Sequence, residues 1–400
     1  MHILQICKKN PFPVADGEAI AIWSITKELH RAGHEVTLLA MNTPKHNFNV
    51  DQLPEDFKSV AKFETVFINT NLNLFSAFKA LLQNRSYNIK RFISQDFANK
   101  LTTLLKEQHF DIVLMEGIYL APYLNLIKKI APDTPVFMRT HNIEHLIWQR
   151  LAQEEKNIFK SIYLKILAKQ FKSYEKKMLP EFDGLIPISP IDANILKQLG
   201  CHQKMMVLPA GVDTNNYPFL LPDQTPEATL FFIGSLDWLP NRQGLIWLFN
   251  EVLPIVRKTF PEVQLYVAGR NSPDSFKHQQ IVGVNIVGEV PDAIRFMMNH
   301  TIMVVPLFSG SGMRVKIIEA MALGKPIVAT SIAAEGIEYS DGKNILIADS
   351  AERFAENIIV LLKNKSFCNQ ISTNARNFAL EYHDNNFLVK KLIAFFFVTV

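Results

Sequence analysis

Cysteine is scarce in this chain, with three in 400 residues. Cys7, Cys201 and Cys368 stand far apart, so neither a disulfide framework nor a paired-cysteine metal spacing is available. A reducing, cytoplasmic setting is the expectation. Long apolar runs are missing as well. The most apolar stretch, Leu392 to Val400, falls far short of the roughly 20 residues a spanning helix requires. Met1 to Lys9 reads as a short strand and not as a signal peptide, because no basic region precedes it. Charge of one sign is also in short supply, the net charge being +4. Residues 1–215 hold 26 of the 42 Lys and Arg and 21 of the 38 Asp and Glu, so the slight basic excess lies in the first half. It is too dispersed for a nucleic-acid partner. Finally, no Gly-x-Gly-x-x-Gly follows the first strand of either half, which argues against a dinucleotide cofactor.

What is present is an alternation of apolar strands and amphipathic helical stretches. Val36 to Ala40, Asp111 to Met115, Val136 to Met138 and Leu185 to Ile188 read as buried strands, separated by helices such as Ile20 to Arg31 and Phe97 to Glu107. Continuously apolar strands with helical crossovers imply parallel sheet covered on both faces. The pattern breaks at Leu208-Pro209-Ala210-Gly211-Val212-Asp213. It then resumes with Leu230 to Ile233, Val263 to Ala268, Val284 to Val287, Ile302 to Val305, Ile327 to Ala329 and Ile345 to Ile347. The fold class is α/β, with two Rossmann-like, doubly wound parallel-sheet domains. The expected boundaries are 1–208, 209–380 and a terminal helix over 381–400, whose Phe395-Phe396-Phe397 cluster is either buried or an exposed tail touching lipid. Ligands of such sheets bind beyond the carboxyl ends of the strands, which places a cleft between two facing domains.

Two segments carry chemistry. Phe308 to Thr330 runs from a small-residue loop into a short helix. Free N–H groups at a helix start attract phosphate, and Arg314 and Lys316 add fixed positive charge beside them. Glu319, further into the helix, is placed to accept hydrogen bonds from sugar hydroxyls. This combination suits a sugar-bearing diphosphate, although a glycine-rich loop also serves simply to tie a βα unit together. The second segment, His145 to Leu179, reads as one long basic amphipathic helix. Lys156, Lys160, Lys165, Lys169, Lys172, Lys176 and Lys177 interleave with Ile158, Phe159, Ile162, Tyr163, Ile166, Leu167 and Phe171. Such a helix suits contact with an anionic membrane, and an ordinary surface helix with its apolar side on its own core is the alternative.

Four blocks, spread in order over nearly the whole chain, resemble the glycosyltransferase group 1 family, family 4 of the glycosyltransferases. They are Asn10-Pro11-Phe12-Pro13 through Gly17-Glu18, Arg139 to Glu144, Pro209 to Asp213 with Phe232 to Asn241, and Gly310 to Thr330 continuing to Glu335-Gly336. The resemblance implies the GT-B architecture, in which the terminal helix returns to the first domain and buries the Phe395-Phe396-Phe397 cluster. It also implies a retaining, metal-independent transfer of a sugar from a nucleotide-sugar donor, held by the C-terminal domain, to a saccharide or lipid-linked acceptor. No cofactor is implied. A cytoplasmic hexosyltransferase of cell-surface polysaccharide or glycolipid synthesis, at the inner face of the membrane, is the resulting expectation.

On the same resemblance, Gly234 and Ser235 form the first phosphate loop, and Gly310, Ser311, Gly312 and Met313 supply the amides of the second. Arg314 and Lys316 take over the charge work, with Arg242 a weaker candidate. Glu319 matches the second glutamate of the family's pair and binds ribose hydroxyls. Arg270 lies at a strand end from which it would face the donor. The place of the first glutamate holds Ser311, so the sugar contact is reshaped or the activity lost. Gly17 lets backbone approach the donor, and His141 lies near the reacting sugar, with Glu144 either orienting it or capping the helix that follows. Retention implies front-face attack. A sugar-nucleotide epimerase of the same fold and a non-catalytic nucleotide-sugar-binding partner subunit are the alternative readings.

Overall fold

The computed structural model describes residues 1–14, 17–44, 48–70, 87–155, 157–222, 229–272, 281–310 and 312–399. The chain divides into two compact units, Met1–Pro209 with Leu388–Val400, and Ala210–Phe387.

In the first unit, β1 (His2–Cys7), β2 (Glu35–Asn42), β3 (Lys62–Phe67), β4 (Ile112–Glu116), β5 (Val136–Thr140), β6 (Gly184–Pro187) and β7 (Lys204–Met205) form one sheet. Its order is β3-β2-β1-β4-β5-β6-β7, and every pairing is parallel. Both β4 and β5 are buried at every residue, which is why Ile112 to Met115 and Val136 to Met138 are apolar without alternation. The strand order reverses between β1 and β4, and ligands of such sheets collect beyond the carboxyl ends there. Cys7 pairs with Glu116 and Glu116 with Arg139, so the register puts a carboxylate at that switch point.

The second unit repeats the plan with β8 (Leu230–Ile233), β9 (Leu265–Ala268), β10 (Val284–Gly288), β11 (Ile302–Val305), β12 (Ile327–Ala329) and β13 (Leu346–Ile347). The order is β10-β9-β8-β11-β12-β13, again all parallel. Here the switch lies between β8 and β11. Gly234 follows β8 directly, and the Pro306-to-Gly310 stretch follows β11. The two loops read as phosphate loops therefore leave adjacent strands at the switch point. The expected pair of doubly wound sheets is the architecture the chain forms.

Two elements depart from expectation. The long basic helix is two helices, Glu144–Glu154 and Ile158–Met178. Asn157 restarts the chain as a helix by accepting from the Lys160 N–H at 3.1 Å. The two helices pack together through Trp148 stacked on Phe171, with ring centroids 6.0 Å apart, and through Ala152, Leu164 and Leu167. The final helix, Asn385–Thr399, buries only part of its phenylalanine cluster. Phe396 is buried against Phe137 at 4.8 Å and Phe395 packs beside it, whereas Phe397 is 65% exposed. Three consecutive residues span most of a helical turn, so one core face cannot hold all three.

Candidate functional site

In the second unit, residues scattered through the sequence converge on the ends of β8 and β11. Gly234 faces the Lys316 ammonium and the Asn241 amide: a Cβ there would lie 3.1 Å from Lys316 Nζ and 3.0 Å from Asn241 Nδ2. The missing side chain is what admits them. Asn241 Nδ2 donates to the Ser235 carbonyl at 2.7 Å, and Lys316 Nζ reaches Asn241 Oδ1 at 3.4 Å. The Lys316 ammonium also sits 4.1 Å above the Phe232 ring. Burial, reinforced by the neighbouring Arg314 charge, lowers the Lys316 pKa to about 7. No carboxylate is paired with it among the described residues. A cationic site that destabilises its own charge favours an anionic ligand.

Gly310 has φ 107°, a conformation that favours glycine, and a Cβ there would come within 3.0 Å of both Arg314 Nη2 and the Trp238 ring. Arg314 is buried, immediately precedes the helix Val315–Ala322, and holds its guanidinium 5.6 Å from the Trp238 ring. Its Nη1 donates to the Gly312 carbonyl, bracing the loop. Met313 is partly buried against the core and lies near Gly336. Ser235 Oγ donates to Asp237 Oδ1 at 2.7 Å. Arg270 is exposed, and its carbonyl accepts from Leu236 N–H at 2.9 Å, which ties it to the loop after β8. Ser311 lies outside the described residues.

Glu319 is held by Tyr217, whose hydroxyl donates to Oε1 at 2.9 Å. Burial raises the Glu319 pKa, and the tyrosine partly offsets it. Tyr217 is fixed in turn, because Arg376 Nη1 donates to its carbonyl at 2.9 Å and also to that of Ala322. One carboxylate oxygen is thus positioned by the protein, leaving Oε2 to accept from a ligand.

In the first unit, His141 follows β5 directly. Its Nε2 lies 2.7 Å from Glu116 Oε2 at the end of β4. Glu116 is fully buried, receives Gln5 Nε2 at 2.7 Å and lies 3.7 Å from Arg139 Nη1. Burial alone would raise its pKa, but Arg139, His141 and Gln5 outweigh burial and hold it below the ordinary carboxylate range. Glu144 opens the helix Glu144–Glu154, where a carboxylate in the first turn complements the helix dipole, and its side chain accepts from Tyr119 OH at 2.8 Å and not from His141. Gly17 opens the helix Gly17–Arg31, and a Cβ there would meet no atom within 4 Å. Sequence reasoning missed Glu116, Tyr217, Trp238 and Asn241. Trp238 and Asn241 do lie within the Phe232-to-Asn241 block, and Glu116 directly follows an apolar strand run, but none of the three was singled out as a site residue.

The profile described as Glycosyltransferase Family 4 matches residues 15–216, and that described as Glycosyl transferases group 1 matches residues 227–364. Among curated relatives, an uncharacterized 44.6 kDa protein in the cps region of Klebsiella pneumoniae is 26% identical, over 96% of each chain. A phosphatidyl-myo-inositol mannosyltransferase of Mycolicibacterium smegmatis is 23% identical, over 91% of this chain and 85% of the relative. Among solved structures, Anabaena HepE in complex with UDP superposes with a TM-score of 0.66 at 15% identity, covering 98% of this chain and 99% of its own. At that identity the likeness is one of fold.

Proposed function

The chain belongs to family 4 of the glycosyltransferases, within group 1, and from that premise we propose that it moves a sugar from a nucleotide-sugar to a saccharide or lipid-linked acceptor, with retention and without a metal. The observation that carries this reading is the convergence of Gly234, Asn241, Gly310, Arg314 and Lys316 around adjacent strand ends, with Glu319 about one turn beyond Lys316 on the same helix. Loop amides and two cations suit a diphosphate, and Glu319 Oε2 suits a sugar diol, which a carboxylate accepts with charge-assisted strength. That HepE was captured with UDP and that the mycobacterial relative is named for a phosphatidylinositol acceptor support the two substrate classes.

In the proposed reaction the acceptor hydroxyl attacks the anomeric carbon from the face the phosphate leaves. The bond from that carbon to the phosphate oxygen breaks, and the departing oxygen takes the hydroxyl proton. Arg314 and Lys316 stabilise the growing diphosphate charge, the work a divalent cation performs elsewhere. Thermal shift against nucleoside diphosphates identifies the base, since a ligand of the folded state raises its melting temperature. Transfer assays with the matching nucleotide-sugars follow, and Arg314→Ala is expected to lower kcat by about a hundredfold. Near-normal turnover removes Arg314 from the mechanism, and an inverted product anomer by NMR overturns retention. A wild type that binds donor but transfers nothing favours the partner-subunit reading that Ser311 raises.

The acceptor side of the proposal includes an anionic membrane surface. On the helix Ile158–Met178, Leu164, Leu167 and Phe171 are buried, yet Ile158, Phe159, Ile162, Tyr163 and Ile166 are exposed, Phe159 at 82%. Lys160, Lys165, Lys169, Lys172, Lys176 and Lys177 are exposed along the same helix, and its one acid, Glu175, is buried. An apolar patch among lysines complements anionic headgroups. Among the described residues no helix is long and apolar enough to cross a membrane, so the contact proposed is peripheral.

A further inference from the structure

His141 receives its partner from a different strand, not from its own segment. Its Nε2 meets Glu116 Oε2 at 2.7 Å, and Glu116 is itself held within a buried chain: Thr26 Oγ1 donates to Gln5 Oε1 at 2.6 Å, and Gln5 Nε2 donates to Glu116 Oε1 at 2.7 Å. Arg139 is fixed as well, with Nη1 donating to the Ala21 carbonyl at 3.0 Å. The Thr26 hydroxyl has one proton and two acceptors in reach, Gln5 Oε1 at 2.6 Å and the Ile22 carbonyl at 2.9 Å. Glu116, its carboxyl held below the ordinary range by Arg139 and His141, has only acceptor oxygens to offer, so the Gln5 amide turns its N–H toward it and His141 must supply the proton between them. A neutral imidazole carries one proton. Committing it to Nε2 makes Nδ1 an acceptor, and among the described residues Nδ1 has no protein partner.

We propose that Glu116 is a positioning residue for sugar transfer: it locks His141 in the tautomer with the proton on Nε2, so that Nδ1 stands ready to accept a hydrogen bond from a substrate hydroxyl. The proposal rests on the reading of His141 as the histidine that meets the sugar. Three features fit it. A buried carboxylate at the end of β4 is expensive unless something uses or satisfies it. It lies at the β1/β4 switch point, where ligands of this sheet collect. The half of its bonding that faces outward goes to the one histidine at the end of β5.

Glu116→Gln preserves the shape of the side chain but offers an N–H to Nε2, which moves the imidazole proton to Nδ1 and replaces the acceptor with a donor. In serine-protease triads the equivalent change costs about 10⁴ in turnover through the wrong tautomer. Here the expected loss in kcat is about a hundredfold, with donor KM within about threefold of wild type. The ¹⁵N–¹H spectrum of His141 reads the tautomer directly, protonated at Nε2 in the wild type and at Nδ1 in the variant. It does so even where activity is lost, and a thermal melt confirms folding. In a His141→Ala background, Glu116→Gln is expected to cost less than about twofold more, because residues acting as one unit are not additive. Wild-type kcat in Glu116→Gln alongside an impaired His141→Ala overturns the positioning role alone. So does an Nδ1–H tautomer in the wild type, or a full additional loss in the double variant. A fully active His141→Ala overturns the reading of His141 and the proposal with it.

Discussion

Lys316 holds its ammonium over the Phe232 ring and beside Arg314, and this placement sets a pH response. With a folded-state pKa of about 7 against an ordinary 10.5, the unfolded chain binds the proton across that window and the unliganded fold does not. Stability of the empty protein from this group therefore rises as pH climbs from about 7 toward the ordinary lysine range. Diphosphate binding runs the other way, because it recruits the charged form. Affinity for the nucleoside diphosphate that gives the largest thermal shift, measured by calorimetry, is expected to fall as pH rises above 7, by at most about tenfold per unit. Proton uptake on binding at pH 8 accompanies the fall. Lys316→Met removes both effects, and an unchanged slope in that variant assigns the titration elsewhere. Glu319 shows the complementary logic. Tyr217 holds one oxygen at 2.9 Å, so Tyr217→Phe is expected to raise donor KM about tenfold, the lower end of the worth of a hydrogen bond to a charged group. A change in kcat instead would place Glu319 at the reacting carbon.

At the scale of elements, the helix Ile158–Met178 has two apolar faces where an ordinary surface helix has one. Leu164, Leu167 and Phe171 seat it on its own unit, and the Ile158, Phe159, Ile162 face is left outward. In vesicle flotation the protein is expected to bind bilayers containing an anionic lipid and not neutral ones. Phe159→Ser with Ile162→Ser is expected to weaken binding at least about tenfold without lowering the melting temperature, since exposed apolar area contributes nothing to folding but about 25 cal/mol per Å² to insertion. Binding that survives these changes removes the helix from the interface, and concentration-dependent dimerisation abolished by them marks the patch as a contact between copies. The helical period of this segment was legible in sequence. Its interruption at Asn157 was not, because a cap competes with helix continuation only once Trp148 and Phe171 can stack across the turn.

At the scale of the molecule, two sheets of the same winding each present a switch point. One carries the Glu116–His141 pair, and the other carries the loops after β8 and β11 with Arg314 and Lys316. On the proposal that Arg314, Lys316 and the loop amides stabilise the departing diphosphate, transfer in excess EDTA is expected to stay within about twofold of untreated enzyme. A loss that Mg²⁺ or Mn²⁺ restores would sink the metal-free mechanism.

The sequence alone determined the winding of both sheets, because strands buried on both faces must be apolar throughout and crossovers must be amphipathic. It also marked the loop from Gly310 through Glu319, where small residues, two cations and an acid lie close enough together to be read as one site. The partners of that site were decided by tertiary structure. Gly234 reads as a loop glycine until Lys316, 82 positions later, fills the space its side chain would take. Glu144 stands three residues from His141 but accepts its hydrogen bond from Tyr119, whereas Glu116, on the neighbouring strand, meets the imidazole. Parallel strands bring their carboxyl ends together whatever the length of chain between them, so the contacts that shape these sites depend on sheet order and register and not on distance along the chain.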